Sequence, residues 1–192
     1  MEASKDLALF LGMLCGDGWL SLVTRGDGYH NHKVCFCNTD VVVINNFKDL
    51  FFKIFGAKIN TYIRKRPLRK KIFELSSYSR EVFSKIKEMG FPIGVKRDVL
   101  RIPEIVRNGS NQEKLTFIFG LYLTDGCLKK DNFIHFHSGS KLLLEDVSEI
   151  VNELFKDKRV VKSYIQQQKY TSYQLGLNKE ETRMILSCAH IA

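Results

Sequence analysis

The chain contains an internal duplication, which constrains its fold more than any other feature of the sequence. Residues 10–18 (Phe-Leu-Gly-Met-Leu-Cys-Gly-Asp-Gly) correspond to residues 118–126 (Ile-Phe-Gly-Leu-Tyr-Leu-Thr-Asp-Gly) at an offset of 108. Residues 34–38 (Val-Cys-Phe-Cys-Asn) correspond to residues 134–138 (Ile-His-Phe-His-Ser) at an offset of 100, so the first copy has about eight extra residues in the loop between Thr24 and Asn31. Such a repeat predicts two copies of one structural unit.

The two copies show the same order of predicted elements. Residues 41–55 and 141–155 have the apolar spacing of helices, and alternating segments before and after them predict hairpins. Each copy is therefore predicted to run helix, hairpin, helix, hairpin, helix. We predict an α+β fold, a pseudo-twofold duplication of αββαββα half-domains with two antiparallel sheets.

A segment that breaks the repeat separates the two copies. It contains Pro92, Pro103 and the turn-forming run Asn108-Gly109-Ser110. A unit of about 90 residues buries little of its surface alone, so the two copies are expected to pack against one another. We predict the following organisation: a first half-domain at 1–91, a linker at 92–111 and a second half-domain at 112–192.

The charge of the chain favours a polyanionic partner. The formal net charge is +9, and each Lys or Arg placed against a phosphate releases condensed counterions. A ribosome-binding or membrane-surface protein would have the same excess, so charge alone does not decide. The five cysteines show no CxxC spacing, which argues against a disulfide framework or structural zinc. No apolar run could span a bilayer, and we expect an intracellular protein, either cytoplasmic in a prokaryote or organellar.

Two apolar segments, residues 7–16 and 115–124, are candidates for a pair of closely packed helices. They are apolar on nearly all sides, which is typical of helices that are buried all round. Gly12 and Gly16 lie four residues apart and share a helix face, as do the small residues Gly120 and Thr124. Small residues at this spacing let two helix backbones approach closely, so these faces are predicted to form the seam between the halves.

Each of these helices ends in an Asp-Gly pair. Gly18 and Gly126 stand where a C-cap glycine belongs, which places Asp17 and Asp125 side by side at the ends of the paired helices. Two carboxylates there repel one another and oppose the helix dipole. Bound divalent cations would relieve both effects, and oxygen ligands suit Mg²⁺. A single Asp-Gly is usually just a turn; the two matching copies favour a metal site.

Both segments resemble the LAGLIDADG motif of homing endonucleases, in the single-chain, two-motif form found in introns, including archaeal ones. The resemblance covers nearly the whole chain, although the sixth motif position, usually Asp, is Cys15 and Leu123 here. It implies an intron-encoded, monomeric endodeoxyribonuclease whose two sheets form a DNA-binding saddle. It also implies a metal-dependent double-strand break in a long DNA target, with one nick per strand and a short 3′ overhang across the minor groove.

The resemblance also assigns roles to residues around the two acids. It implies that Asp17 and Asp125 bind the metal, with help from the backbone carbonyls of Gly16 and Thr124. Mg²⁺ is the expected cofactor, with Mn²⁺ as a substitute, and Ca²⁺ is expected to bind without supporting cleavage. A polar residue at the end of the second strand organises the attacking water, and here this is Asn38.

The second half matches that pattern less well. Ser138 stands at the position equivalent to Asn38 and is a weaker match. A lysine beside each active centre is common in the family. Lys129 and Lys130 are candidates in the second half, whereas Thr39 and Gly139 occupy the positions where a base is expected.

Strand alternation predicts which side chains face the DNA. In the strand that begins at Asn60, we expect Ile59, Thr61 and Ile63 to point inward. Arg, Tyr and Gln on the outer face suit phosphates and base edges. The outward set in the first half is Ser21, Val23, Arg25, Lys33, Cys35, Cys37, Asn60, Tyr62, Arg64 and Arg66, and the hairpin bases Arg69 and Lys70 extend it. The outward set in the second half is Lys129, Phe133, His135, His137, Tyr164, Gln166 and Gln168.

The two sets differ in character. The first is more basic and the second is richer in Gln, so we expect an asymmetric target with the stronger phosphate clamp on the first half-site. His135 and His137 could chelate a metal, but no third ligand is evident in the sequence.

Several other functions stay open. The fold also suits an RNA-splicing maturase that binds intron RNA, and a DNA-binding protein that does not cleave. The retained Asp17 and Asp125 favour the nuclease, because a pure binder needs neither. We expect no intein, since the chain runs from Met1 to Ala192 without splicing segments, and no unrelated enzyme, since no nucleotide loop or nucleophile triad is present.

Overall fold

The computed structural model describes residues 4–24, 30–64, 71–156, 160–166 and 170–191. Its helices are α1 (Lys5–Asp17), α2 (Val41–Phe55), α3 (Arg80–Glu88), α4 (Glu104–Arg107), α5 (Asn111–Asp125), α6 (Lys141–Phe155) and α7 (Lys179–Ser187), followed by a 3₁₀ turn at Cys188–Ile191. Its strands are β1 (Gly18–Thr24), β2 (His30–Asn38), β3 (Asn60–Arg64), β4 (Ile72–Ser77), β5 (Gly126–Leu128), β6 (Ile134–Ser138), β7 (Lys162–Gln166) and β8 (Tyr170–Gly176).

The strands form two antiparallel sheets with the same topology. The first has the order β1-β2-β4-β3 and the second the order β5-β6-β8-β7. In each half the order along the chain is helix, hairpin, helix, hairpin, helix, so the predicted duplication of αββαββα units and the α+β class are confirmed. No helix in the described part of the chain is long and apolar enough to cross a membrane.

The core of each half lies between one face of its sheet and the helices. Val34 and Phe36 of β2 are fully buried, as are Ile134 and Phe136 at the equivalent positions of β6. The ring of Phe36 stacks on that of Phe47 of α2 with centroids 4.0 Å apart. Alternating side chains of each sheet are therefore buried under the helices, and the others lie on the opposite face.

Helices α1 and α5 pack against one another through glycines. A Cβ atom at Gly12 would overlap the carbonyl oxygen of Phe117 and lie 2.9 Å from the backbone nitrogen of Leu121. A Cβ atom at Gly120 would lie 3.1 Å from the nitrogen of Met13 and 3.2 Å from the Cα of Gly12. The two backbones touch at these positions, as the small-residue spacing predicts, and their contact joins the halves.

Glycine is required after each of the two acids, but not for the reason expected of a C-cap. Gly18 has φ −98° and Gly126 has φ −89°, so both are extended and neither is left-handed. A Cβ atom at Gly18 would lie 2.7 Å from the carbonyl oxygen of Leu14, and one at Gly126 would lie 2.6 Å from that of Tyr122. Space, not backbone conformation, requires glycine here, because each helix passes directly into a strand.

The segment between the halves is packed against both of them. Ile93 forms a parallel bridge with Leu20 of β1. Further along, the buried carboxylate of Asp146 on α6 accepts hydrogen bonds from Arg101, from Arg107 at 2.8 Å and from the backbone nitrogen of Ile102 at 2.9 Å. These contacts fix the path of residues 93–107 across the molecule.

Two side chains have the predicted direction but not the expected exposure. Thr61 and Ile63 lie opposite Leu75 and Phe73, on the core face, yet all of β3 is exposed and Ile63 is 56% exposed, because β3 is the edge strand of its sheet. Cys35 lies on the predicted outer face but is fully buried, since Ser76 and neighbouring side chains cover it.

Candidate active site

Asp17 and Asp125 lie together where α1 and α5 end. Each is the last residue of its helix. Just before Asp17, a Cβ atom at Gly16 would lie 2.6 Å from the Cβ of Thr124 and 3.4 Å from the Cγ of Asp125. The close approach of the two helices therefore brings both acids, together with Gly16 and Thr124, to one point of the molecule.

The two carboxyl groups bind protons more tightly than ordinary aspartates. Burial raises the pKa of Asp125 to about 7, although the nearby charge of Lys96 lowers it; the charge of Asp17 raises it further. Burial also raises the pKa of Asp17, against the lowering effects of the hydrogen bond from Asn38 and the charge of Lys96. Burial without full charge compensation is typical of functional carboxylates.

Lys96 provides a positive charge that acts on both acids, a role that the sequence analysis missed. Its Nζ donates hydrogen bonds to the carbonyl oxygens of Cys15 at 2.7 Å and Gly18 at 2.8 Å, and also to that of Gly16. Burial lowers the pKa of Lys96, while the charges of Asp125 and Asp17 oppose this effect. The ammonium group thus lies beside carbonyls that a cation can use as ligands.

The path of the linker positions this lysine. The backbone nitrogen of Gly94 donates to the carbonyl oxygen of Leu20 at 2.8 Å, and the nitrogen of Leu100 donates to that of Lys96 at 2.9 Å. The next residue, Arg97, lies against Gly139, where a Cβ atom would be 3.2 Å from its Nε. Two consecutive linker bases therefore lie near the two halves of the site. The sequence shows two consecutive basic residues, Lys96 and Arg97, in the predicted linker 92–111, but only the fold shows that the linker brings them to the acids.

Asn38 holds Asp17 in a defined orientation. Its Nδ2 donates to Oδ2 of Asp17 at 2.7 Å, and its Oδ1 accepts from the backbone nitrogen of Asp40 at 2.8 Å. Ser138 has the equivalent place in the second half, where its hydroxyl accepts from the backbone nitrogen of Ser140 at 3.1 Å. The first half therefore supplies a side-chain donor to its acid, and the second half has a shorter residue there.

A cavity of about 380 Å³ opens beside Asp125. The two basic linker residues, Lys96 and Arg97, line it together with His137 and Ser138 of the second half. The lining residues are Cys15, Gly16, Val95, Lys96, Arg97, Leu100, Asp125, His137, Ser138, Gly139, Ser140 and Ser172. Asp125 is thus accessible from one side, next to two positive charges.

The donor set at this point fits a hard divalent cation. Among the described residues, no group of three or more His, Cys, Asp or Glu side chains could hold a metal ion. Two carboxylates and backbone carbonyls remain as ligands, and Mg²⁺ is commonly held by one or two carboxylates, waters and substrate phosphates. Asp17, Asp125 and the carbonyl of Gly16 are the groups placed to bind such an ion.

Lys129, the lysine predicted in the second half, lies farther from the chemistry. It is exposed in the β5–β6 turn, where its backbone nitrogen donates to Phe133 at 2.9 Å. Burial lowers the pKa of His137, and the positive charges of Lys129 and His135 lower it further. Lys96, by contrast, acts directly on the pKa of both acids.

Several of the predicted DNA-facing residues lie in the two sheets, on the face that the helices leave open. Ser21 is opposite Lys33 in the β1–β2 register, and Asn60, Tyr62 and Arg64 are exposed on β3. His135 and His137 are half-buried on β6, and Nδ1 of His135 contacts the side-chain nitrogen of Gln174. Tyr164 and Gln166 belong to β7. Outside the described residues lie Arg25, Arg66, Arg69, Lys70 and Gln168.

A family model matches part of the chain, and solved structures match its fold. Residues 112–187 match the family model of a LAGLIDADG-like domain. The homing endonuclease I-DmoI, in a structure of its mesophilic variants, has 20% sequence identity and a TM-score of 0.72 over 95% of this chain and 93% of that chain. The homing endonuclease I-WcaI, bound to its DNA recognition sequence, has 15% identity and a TM-score of 0.63 over 97% of this chain and 81% of that chain.

The chain therefore has the fold of the LAGLIDADG homing endonucleases, and the resemblance indicated by its sequence is confirmed. A complex of I-DmoI with DNA and Ca has 20% identity and a TM-score of 0.70 over 100% of this chain and 90% of that chain. Other I-DmoI complexes with target DNA were obtained in the presence of Mn or Mg. Structures of this fold are thus known with DNA and with divalent ions.

Proposed function

We propose that the protein is a site-specific homing endonuclease that makes a divalent-metal-dependent double-strand break in a long, asymmetric DNA target. The observation that carries this proposal is the meeting of Asp17 and Asp125 at the ends of two helices, with the ammonium group of Lys96 close enough for its charge to act on both. A protein that only bound DNA would gain nothing from two acids in a site where burial opposes their ionisation. Both acids belong to one chain, so it is proposed to act as a monomer.

The metal would be held by the carboxylates of Asp17 and Asp125 and by the carbonyls of Gly16 and Thr124. When bound, Mg²⁺ supplies an activated water and stabilises the charge that develops on the phosphate and the leaving oxygen. Each carboxylate must lose its proton before it can serve as a ligand, and Lys96 favours this loss. Mn²⁺ is proposed as a substitute, and Ca²⁺ as an ion that binds without supporting cleavage.

Lys96 is proposed as the catalytic lysine of this site. Its ammonium group lies within hydrogen-bond distance of the backbone beside Asp17, and its charge reaches both acids. In a site that excludes water, a fixed positive charge stabilises the developing charge of a transition state more than it would in solution. Asn38 is a positioning residue, because it acts on the reaction through the orientation of Asp17.

The open faces of the two sheets are proposed to bind the DNA. Arg64 and Tyr62 of the first sheet are exposed, and the formal charge of +9 favours association with a polyanion. The helices cover the opposite face of each sheet. This leaves the open face, adjacent to the two acids, as the surface for the duplex.

Selection of cleaved sites from a randomised duplex library with Mg²⁺ tests the proposal. Wild-type protein is expected to enrich one asymmetric site, and Asp17→Asn or Asp125→Asn to bind this site but leave it uncut. Lys85→Met, which removes a lysine of α3 paired with Glu81, is the control for a change of surface charge. Tight binding without cleavage under any divalent ion would identify a non-cleaving binder, and specific capture of intron RNA would identify a maturase.

A further inference from the structure

A carboxylate is buried on the face of the first sheet that the helices leave open. Phe36 of β2 lies opposite Leu75 of β4, and both point into the core. Glu74 precedes Leu75 and therefore points to the other face, where it lies opposite Cys37 of β2 and Tyr62 of β3. Its side chain is nevertheless only 4% exposed. An acid on a surface proposed to meet phosphates needs a physical explanation.

Two cationic side chains cover this acid, and they are held to different degrees. Nζ of Lys33 donates to Oε1 of Glu74 at 3.0 Å, and the hydroxyl of Ser76 donates to the same oxygen at 3.3 Å. Arg64 forms an ion pair with Oε2, which has no hydrogen bond of good geometry to any group in the described part of the chain. The side chain of Lys33 is 20% exposed and that of Arg64 is 58% exposed. Lys33 is thus fixed, whereas Arg64 is held by charge and stays accessible.

Glu74 keeps its negative charge in this environment. Burial raises the pKa of its carboxyl group. The hydrogen bond and charge of Lys33, the charge of Arg64 and the hydrogen bond of Ser76 outweigh this effect, so the pKa lies below its ordinary value. Lys33 and Ser76 both bond to Oε1, so Oε2 depends on its ion pair with Arg64. A guanidinium group has five N–H donors, so Arg64 can keep this pair and present its other donors to a DNA base, which leaves no buried charge unpaired.

The equivalent position in the second half lacks this charge. Gln174 of β8 corresponds to Glu74 at the offset of 100, lies opposite His137 of β6 and contacts His135. The two sheets have the same topology and register, so the difference lies in side-chain chemistry. The first sheet places an arginine paired with an acid over its half-site, whereas the second has the neutral Gln174 in place of the acid, with Lys162 opposite it.

We propose that Glu74 is a specificity-determining residue, which orients Arg64 on the open face of the first sheet so that Arg64 reads a base and does not act as a mobile phosphate contact. The inference rests on the proposed function and adds which residue sets the sequence preference of the first half-site. An arginine held in one orientation can donate two hydrogen bonds to guanine, whereas a free arginine follows the negative potential of any duplex. The carboxylate also repels phosphates, which weakens binding to unrelated sequences.

The experiment measures specificity and binding separately from cleavage. A randomised duplex library is selected for binding in Ca²⁺ by wild-type protein, by Glu74→Gln and by the reciprocal variant Gln174→Glu. Glu74→Gln keeps the size of the side chain and removes its charge. The expected result is a loss of roughly tenfold in base discrimination, confined to one half-site, with a salt dependence of binding that is steeper by about one phosphate contact. Gln174→Glu is expected to change preference in the other half-site.

Arg64→Gln is a second test that does not depend on the folding of Glu74→Gln. Arg64 is exposed, so this variant is expected to keep the fold. It is expected to lose discrimination at the same base as Glu74→Gln, and the double variant to lose no more than either single variant. If Glu74→Gln lowers the thermal stability but keeps the selected sequence and the salt dependence, the inference is overturned and Glu74 has a structural role. If wild-type protein selects no sequence at all, the proposed function itself fails.

Discussion

The two halves of the active centre have the same architecture, but the groups around their acids differ. Asp17 accepts a hydrogen bond from Asn38, and the carbonyls around it accept three from Lys96. Asp125 has no side-chain hydrogen bond among the described residues, and its pKa is about 7 because burial is poorly offset. Duplication has therefore preserved the position of the acid but not its environment. Burial raises the pKa of both acids, but only Asp17 has a side-chain hydrogen bond that opposes this effect.

The same contrast extends to the DNA-facing surfaces. The first sheet carries the charged group Lys33, Glu74 and Arg64, and the second carries His135 with Gln174 at the matching place. The first half thus has an acid paired with two cationic side chains, whereas the second half has a neutral amide in place of the acid, with Lys162 opposite it. A protein built from two such halves is suited to a target whose half-sites differ.

The largest expected effect comes from removing the charge that serves both halves. Lys96→Met is expected to lower the rate of double-strand cleavage by about 10²–10³-fold, because a preorganised positive charge at the reacting phosphate is lost. Lys129→Met is expected to lose less than about tenfold, since Lys129 is exposed in the β5–β6 turn. Single-turnover cleavage of the selected site measures both. Equal losses would show that each half relies on its own lysine.

The ionisation of Asp125 should make the metal-free protein less stable as the pH rises. Its pKa of about 7 in the folded state exceeds the ordinary aspartate value of 3.8, so between these values the folded state holds a proton that the unfolded state has released. The free energy of unfolding is therefore expected to fall as the pH rises through this window, by at most about 1.4 kcal/mol for each pH unit, and to level off above it. Asp17, whose pKa is also raised, acts in the same direction.

Urea unfolding in a chelator at about pH 5 and about pH 8 measures this dependence. Asp125→Asn removes the titrating group and keeps the shape, so its stability is expected to change less between the two values. At the higher pH this variant should be more stable than the wild type. A wild type that is more stable at about pH 8 than at about pH 5 would contradict the buried, proton-binding state of Asp125.

The seam is where the two halves should behave alike. At both Gly12 and Gly120 a Cβ atom would meet backbone atoms of the partner helix, which cannot rotate away. Gly12→Ala and Gly120→Ala are each expected to lower the free energy of unfolding by about 1–3 kcal/mol, despite the better helix propensity of alanine. Gly176→Ala, outside the seam, is the comparison, because its Cβ atom would lie 3.6 Å or more from the nearest atoms, those of the His135 ring. Denaturant unfolding of the three variants gives the differences; equal costs at all three positions would count against the seam.

The sequence carried enough information to predict the fold because the duplication is visible in the motif and in the strand patterns. The apolar helices with paired glycines predicted the seam, and the two Asp-Gly pairs predicted where the acids meet. Alternation predicts the face on which Ile63 lies but not its exposure, because it does not reveal that β3 is an edge strand. It likewise predicts the face of Cys35 but not its burial, which depends on Ser76, 41 residues away.

The position of Lys96 could not be predicted for a related reason. Its place depends on the bridge between Ile93 and Leu20 and on the backbone bond at Gly94, which join the linker to β1. These are contacts between distant segments and carry no periodic signal. The sequence showed that a lysine was missing from the expected strand positions, and the fold shows which lysine lies beside the acids.

The smallest effect should distinguish the polar partners of the two acids. Asn38→Ala is expected to lower the rate of nicking by about tenfold, because Asp17 loses the bond that orients it. Ser138→Ala should lower it by less than about threefold, since the hydroxyl of Ser138 is bonded to the backbone of Ser140 and not to Asp125. Each strand of the selected site is labelled separately, so that the two nicking rates are resolved. If Asn38→Ala slows one strand and Ser138→Ala neither, the acids work with unequal support. Equal slowing by both variants would show that Ser138 reaches Asp125 once DNA is bound, and the asymmetry would then belong to the free protein alone.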